Sequence, residues 1–101
     1  MPQSTIFTHQ SIAQSVIDHE VKIVFGLMGD ANIFLVDYYV RSCGGKFVPA
    51  AHEGSAVMMA LAYSYFSKKV GIASITHGPG LTNCVTALTE GTKGRIPMIL
   101  L

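Results

Sequence analysis

The segment from Ala50 to Ala56 contains the carboxylate that is best placed for acid–base chemistry, Glu53. It follows the extended apolar piece Phe47–Pro49 and precedes Ala56–Phe66, a run in which Ser64 is the one clearly polar side chain. This pattern predicts that Glu53 lies in the first turn of a helix, at the carboxyl end of a strand, where open α/β sheets bind ligands. A helix N-terminus stabilises the anion, whereas removal from water favours the neutral acid. Glu53 is therefore either an anion that stabilises a helix start or a proton donor or acceptor at a pocket rim.

Two glycine-containing turns are predicted at the same edge of the sheet. Gly26–Asp30 follows the apolar run Lys22–Phe25, and Thr76–Asn83 follows the apolar run Val70–Ile75. Within the second turn, Gly78-Pro79-Gly80 favours a tight corner. Neither turn has the glycine spacing of a Walker or dinucleotide motif, which disfavours a nucleotide-binding module.

The elements that must position these turns alternate between helical and extended patterns. Hydrophobic periodicity predicts four helices. The first begins with Thr8 as its N-cap, and the others lie over about 32–42, over 53–67 and from the Gly78–Thr82 region to about 93. Runs of β-branched and apolar residues predict four strands, over 22–25, 46–50, 70–75 and 96–101. The order α-β-α-β-α-β-α-β indicates an α/β fold with three α/β/α layers, a parallel sheet and right-handed crossovers. We expect one domain over 1–101, truncated after about four strands, because the final apolar run has no turn after it.

Composition excludes several classes of protein. Of the 101 residues, 50% are hydrophobic and 13% charged, and the net charge is +1 without a large basic cluster, so nucleic-acid binding is not expected. The apolar runs are too short for a membrane span, and no secretory signal precedes them. With two cysteines and no disulfide framework, we expect a cytoplasmic protein. The apolar excess predicts a partner surface and poor solubility for the segment alone.

Four segments in order resemble the N-terminal pyrimidine-binding domain of thiamine-diphosphate enzymes of the acetolactate synthase, pyruvate decarboxylase and benzaldehyde lyase group. These are residues 24–29, 51–56, 76–83 and 96–98, and the resemblance spans about residues 5–101. It implies the thiamine-diphosphate-binding fold and an enzyme that cleaves or joins carbon–carbon bonds of 2-keto acids, aldehydes or related acyl donors. The cofactor would supply the difficult chemistry, and the protein would place and tune it.

The resemblance also implies roles for individual residues. Glu53 would hydrogen-bond the cofactor's pyrimidine ring and activate its aminopyrimidine by holding or sharing a proton in a low-dielectric pocket. Gly29 and the corner at Gly78 would shape the pyrimidine pocket, and Thr76 and Asn83 would supply polar contacts. No residue of this segment is expected to bind a metal.

Two side chains are candidates for the substrate side of the site, and each has a simpler structural interpretation. Asp30 occupies a position where decarboxylase-like members also carry Asp, yet it also suits the start of the second helix. His77 replaces a small residue and is either a fitted polar residue or a proton shuttle. His52 is expected to orient its loop, and Met28, where proline is usual, alters the first turn.

Other features of the family lie outside these residues. In relatives, a separate C-terminal domain holds the diphosphate and Mg²⁺, and some synthase relatives also bind flavin (FAD), which this segment does not decide. The resemblance implies a homodimer or homotetramer with active sites between subunits, so the segment alone should be inactive. The competing interpretation is a non-catalytic α/β assembly module in which Glu53 only stabilises a helix start.

Overall fold

A computed structural model describes residues 5–101 of the chain as a parallel sheet covered by helices. The elements in chain order are α1 (Thr8–Asp18), β1 (Ile23–Gly26), α2 (Ile33–Arg41), β2 (Lys46–Pro49), α3 (Glu53–Ser67), β3 (Gly71–Ser74), α4 (Pro79–Thr82), α5 (Val85–Gly94) and β4 (Met98–Leu100). All pairings are parallel, in the order β2-β1-β3-β4. The predicted α/β fold class and parallel sheet are confirmed.

The two faces of the sheet carry separate cores, which gives the predicted three layers. Adjacent residues of a strand point to opposite faces, so Val24 and Ile72 pack with α1 and α2, whereas Phe25 and Ala73 pack with α3 and α5. The helix α3 lies over the middle of its face and buries a stripe of small and branched residues at helical spacing: Ala56, Val57, Ala60, Leu61 and Ser64. This packing fixes the start of α3, and with it Glu53, against the sheet.

Two predicted details of the helices are wrong. The N-cap of α1 is Phe7 rather than Thr8, because the Gln10 side chain accepts the Phe7 N–H at 2.9 Å and so satisfies the helix start. The predicted last helix is divided into α4 and α5, since the Cys84 N–H bonds back three residues to the Leu81 oxygen instead of four. All four strands differ from their predicted bounds by one or two residues at one or both ends, which is where hydrophobic pattern is least informative.

The strand order creates a switch point between β1 and β3. From β1 the chain moves outward to β2 through α2, then returns across β1 to β3 through α3 on the other face. The helices that follow β1 and β3 therefore lie on opposite faces of the sheet, and the carboxyl edge at such a switch point is where open α/β sheets form a ligand crevice. The three predicted site turns all lie at this edge.

Candidate functional site

The turns that follow β1 and β3 are in direct contact, although they are nearly fifty residues apart in sequence. The Ala31 N–H donates to the Thr76 hydroxyl oxygen at 3.1 Å. Gly29 lies so close to Thr76 that a Cβ built on Gly29 would be 2.6 Å from the Thr76 Cβ. The predicted residues Gly29 and Thr76 are thus brought together, and they form one wall of the crevice.

Asn32, which the sequence analysis did not identify as a site residue, holds this wall in place. It is 3% exposed. Its Oδ1 accepts the Gly29 N–H at 2.8 Å, and its Nδ2 donates to the Ser74 Oγ at 2.9 Å and to the Leu27 oxygen at 3.3 Å. One side chain therefore joins the first turn to the end of β3. The sequence signal, an asparagine before an apolar helix, indicates only a helix cap, since the Ser74 contact depends on the strand order.

Glu53 starts α3 and faces the Gly78–Asn83 corner. The N-cap of α3 is His52, whose Nδ1 accepts the Gly54 N–H at 3.0 Å, so His52 orients the loop. The Glu53 Oε1 accepts a hydrogen bond from the Asn83 Nδ2 at 3.2 Å. The other oxygen, Oε2, lies 3.7 Å from where a Cβ on Gly80 would stand. The structure thus brings together Glu53, Asn83 and the glycine corner.

The carboxyl group of Glu53 is partly exposed in this chain. The pKa of Glu53 lies below its ordinary value, mainly because the backbone N–H of Glu53 donates to the carboxylate and next because the Asn83 side chain does. Desolvation raises the pKa, and the neighbouring His52 lowers it further. The prediction of a carboxylate in a low-dielectric pocket is therefore not met by residues 5–101 by themselves. Any shielding would require a further surface over the crevice.

The remaining predicted residues lie around the same edge. Gly78 is the N-cap of α4 and has φ +67°, a backbone conformation that favours glycine. Asp30 and His77 are exposed, and within the described part of the chain neither side chain has a hydrogen-bond partner. Their roles on the substrate side stay predictions.

Cys84 is a second residue at this edge that the sequence analysis did not assign to the site. It is completely buried under the corner, and its thiol donates to the Leu81 oxygen at 3.0 Å. Burial raises the pKa of the Cys84 thiol, and the charge of the nearby Glu53 carboxylate also raises it. A hydrogen bond between the thiol and the Cys84 backbone lowers the pKa but does not cancel the rise. The thiol is therefore a neutral packing group beneath Glu53.

Three further observations concern the rest of the described chain: a cleft away from the predicted site, possible metal ligands and helix hydrophobicity. A cleft of about 700 Å³ opens at the other edge of the sheet, between the end of α1 and β4, and none of the predicted site residues lines it. Within residues 5–101, no three His, Cys, Asp or Glu side chains are grouped to hold a metal ion. Over the same residues, every helix is too short or too polar to cross a bilayer.

A parallel sheet with helices on both faces and a switch point between β1 and β3 defines the described part of the chain as an open α/β domain. The sequence profile of one family, the thiamine pyrophosphate enzyme, N-terminal TPP binding domain, matches residues 8–101. The chain belongs to this family, and the resemblance stated from the four motifs is confirmed.

Curated relatives agree with this assignment. The chain is 37% identical over 92 residues to 2-hydroxyacyl-CoA lyase 2 of Danio rerio, covering 91% of this chain and 15% of that protein. It is 35% identical to the mitochondrial acetolactate synthase of Schizosaccharomyces pombe, covering 84% of this chain and 13% of that protein. It is 29% identical to the sulfoacetaldehyde acetyltransferase of Castellaniella defragrans, covering 90% of this chain and 15% of that protein. The chain thus spans a small fraction of the length of these relatives.

A solved structure shows the same fold. The benzoylformate decarboxylase from Polynucleobacter necessarius superposes with a TM-score of 0.81 at 24% identity, over 94% of this chain and 18% of that chain. The arrangement of strands and helices described above is therefore shared with that protein.

Proposed function

We propose that this chain is the pyrimidine-binding part of a thiamine-diphosphate-dependent enzyme that cleaves or joins carbon–carbon bonds of 2-keto acids or related acyl donors. The observation that carries the proposal is the position of Glu53 in the switch-point crevice, between the Gly29–Thr76 wall and the Gly80 corner. The names of the relatives, a lyase, a synthase and an acetyltransferase, support this class of reaction. Bound thiamine diphosphate would supply a nucleophilic carbon that attacks the substrate carbonyl.

The residues at the crevice fit the aminopyrimidine of that cofactor. Asn83 holds Oε1 of Glu53, so the carboxylate has a fixed orientation. Within the described chain Oε2 has no hydrogen-bond donor from another side chain, and because Gly80 lacks a side chain the space beside this oxygen stays open. Glu53 can therefore present one oxygen to a ring nitrogen and hold or share a proton there.

The lowered pKa of Glu53 determines what else the site needs. As a partly exposed anion, Glu53 would not retain a proton at neutral pH. Covering the crevice with a low-dielectric surface would raise its pKa toward that of a useful proton donor. We propose that a second subunit provides this cover in a homodimer or homotetramer, and that a C-terminal domain holds the diphosphate and Mg²⁺.

Exposed apolar side chains near the crevice support the proposed subunit contact. Met58 on α3, Leu81 on α4 and Val85 on α5 are each about half exposed. They belong to the elements that carry Glu53, the corner and Asn83. A partner packed on these residues would exclude water from the carboxylate as well as bury apolar area.

The test of the proposed function is Glu53→Gln in the intact protein, which keeps the shape and removes the titratable group. We expect turnover with thiamine diphosphate and Mg²⁺ to fall by about 10²-fold or more, as is usual when a general acid–base group is lost. Glu90→Gln, on the exposed side of α5, is the matched control and should leave turnover unchanged. Near-normal activity of Glu53→Gln with an unchanged pH profile would overturn the assignment.

The second candidate is a non-catalytic assembly module, favoured by the same exposed apolar side chains. It predicts that the intact protein assembles but does not bind thiamine diphosphate. Calorimetric titration with thiamine diphosphate and Mg²⁺ separates the two functions. Saturable binding that Glu53→Gln weakens supports the enzyme, and assembly without binding supports the module.

A further inference from the structure

A second cleft, of about 560 Å³, lies at the edge of the sheet opposite Glu53, between the carboxyl ends of α3 and α5. Its volume is in the range of small-molecule sites. Six of the residues that line it are Ser64, Tyr65, Lys68, Arg95, Ile96 and Pro97. None of them belongs to the crevice at the carboxyl edge, so the cleft is separate from the site already described.

The cleft carries two positive charges that the described chain does not neutralise. Within residues 5–101, the ion pair found joins Arg41 to Asp37, and no carboxylate lies within 4.0 Å of Lys68 or Arg95. The Lys68 Nζ is held 5.0 Å from the centre of the Tyr65 ring. The ends of α3 and α5 each contribute roughly half a negative charge. Two full positive charges exceed this, so the groups that line the cleft carry a net positive charge.

A buried hydroxyl in the wall has no partner. Ser64 is 3% exposed, and its Oγ is without a hydrogen bond among the described residues. A serine inside a helix can bond the carbonyl four residues earlier. Here that carbonyl, of Ala60, is packed against Gly71 of β3. An unpaired buried polar atom carries a desolvation penalty, and a ligand that accepts from this hydroxyl would remove it once the hydroxyl, which is inaccessible to solvent, turns into the cleft.

We propose that this cleft binds the phosphate group of a small molecule. Lys68 and Arg95 supply charge and donors, and the buried Ser64 hydroxyl, turned into the cleft, would supply a further donor. Arginine and lysine side chains are the usual partners of phosphate oxygens. The exposed Tyr65 ring and Ile96 can contact an organic body attached to the phosphate. This inference does not depend on the proposed function of Glu53.

The experiment is a calorimetric titration of the intact protein with inorganic phosphate and, separately, with AMP. Saturating thiamine diphosphate and Mg²⁺ are present, so that any diphosphate site elsewhere is filled. We expect saturable binding of both probes. Tighter binding of AMP indicates that the organic body is recognised, whereas equal binding indicates recognition of the phosphate alone; either result supports the site.

Two variants locate the binding. Lys68 and Arg95 both have positive φ, 63° and 54°, and asparagine is tolerated there, so Lys68→Asn with Arg95→Asn removes the charges without breaking the helix ends. We expect at least a tenfold loss of phosphate affinity, the equivalent of one charge-assisted hydrogen bond. The control is Lys22→Gln with Lys46→Gln, which removes the same charge outside the cleft and should leave the affinity unchanged.

Ser64→Ala separates a binding role from a structural one. It removes an unpaired hydroxyl, so the melting temperature should be unchanged or higher, while phosphate affinity should fall severalfold. If neither probe binds saturably at millimolar concentration, the proposal is overturned. It also fails if the Lys22 and Lys46 control weakens binding as much as the cleft variants do, since binding would then reflect net charge.

Discussion

The two turns that form the crevice both contain glycines, but these glycines serve different physical purposes. In the first turn Gly29 has no room for a side chain, because a Cβ would lie 2.6 Å from the Thr76 Cβ. In the second turn Gly78 has open space around it, with no atom within 4 Å of such a Cβ, but its φ is +67°. The first glycine permits close approach between two segments, and the second permits a backbone conformation. Substitutions can separate these purposes.

Gly29→Ala should have the largest effect on stability. The added Cβ would push the two turns apart, and overpacking of this kind costs about 3 kcal/mol at the upper end of its usual range. Urea unfolding of the intact protein measures the loss. Adding Thr76→Gly removes the opposing Cβ and should restore about 1–2 kcal/mol through coupling between the two sites. If the stability losses of the two single variants simply add in the double variant, steric contact with Thr76 is not the reason that position 29 requires glycine.

Asn32→Ala should cost somewhat less, about 2 kcal/mol. It leaves the Gly29 N–H and the buried Ser74 hydroxyl without their partner, and each unpaired group carries a desolvation penalty. Because Asn32 joins the first turn to the end of β3, thiamine diphosphate affinity should fall along with the free energy of unfolding. The control is Gln14→Ala, which removes an exposed amide on α1, away from the crevice, and should change neither quantity by much. Normal stability of Asn32→Ala would show that the turns hold their positions without it.

Gly78→Ala should cost about 1–2 kcal/mol, since the penalty comes from a backbone conformation that only glycine readily adopts, with φ +67° and ψ −124°, and not from a clash. Adding Thr76→Gly should not rescue it, in contrast to Gly29→Ala. The measurement is again urea unfolding of the single and double variants. Rescue by Thr76→Gly would mean that Gly78 is also limited by space.

The smallest effect concerns the pH dependence of stability. A carboxyl whose pKa is lowered in the folded state stabilises the fold above its unfolded pKa, about 4.3 for glutamate, and this contribution is lost as pH falls through the lower folded pKa. The stability advantage of wild type over Glu53→Gln should therefore shrink as the pH falls from about 5 through the lowered pKa of Glu53. Asn83→Ala, which removes one cause of the lowered pKa, should shift this loss to higher pH. An advantage that grows on acidification would contradict the assignment of the pKa direction.

The order of motifs along the chain was enough to predict the fold and the family. The extended and helical patterns predicted four parallel strands and the start of α3 at Glu53, because both depend on local periodicity and on the handedness of crossovers. That the turn ending at Asn83 shares an edge of the sheet with Glu53 also followed from the expectation that strand ends meet at one edge, whereas the polar role of Asn83 came only from the family resemblance. The division between α4 and α5 did not follow in this way, since it depends on the Cys84 N–H bonding to the Leu81 oxygen, a turn that hydrophobic periodicity does not predict.

The sequence by itself determined that a carboxylate begins a helix after a strand and that two glycine turns share its edge of the sheet, because residue type and spacing encode these local features. Only the tertiary structure decided that Asn32 reaches Ser74, that Gly29 is limited by space and Gly78 by conformation, and that Glu53 is partly exposed in this chain. These facts depend on which strands are neighbours and on which surfaces are left uncovered. These features depend on the distances between residues that are far apart in sequence, and a local sequence pattern does not determine such distances.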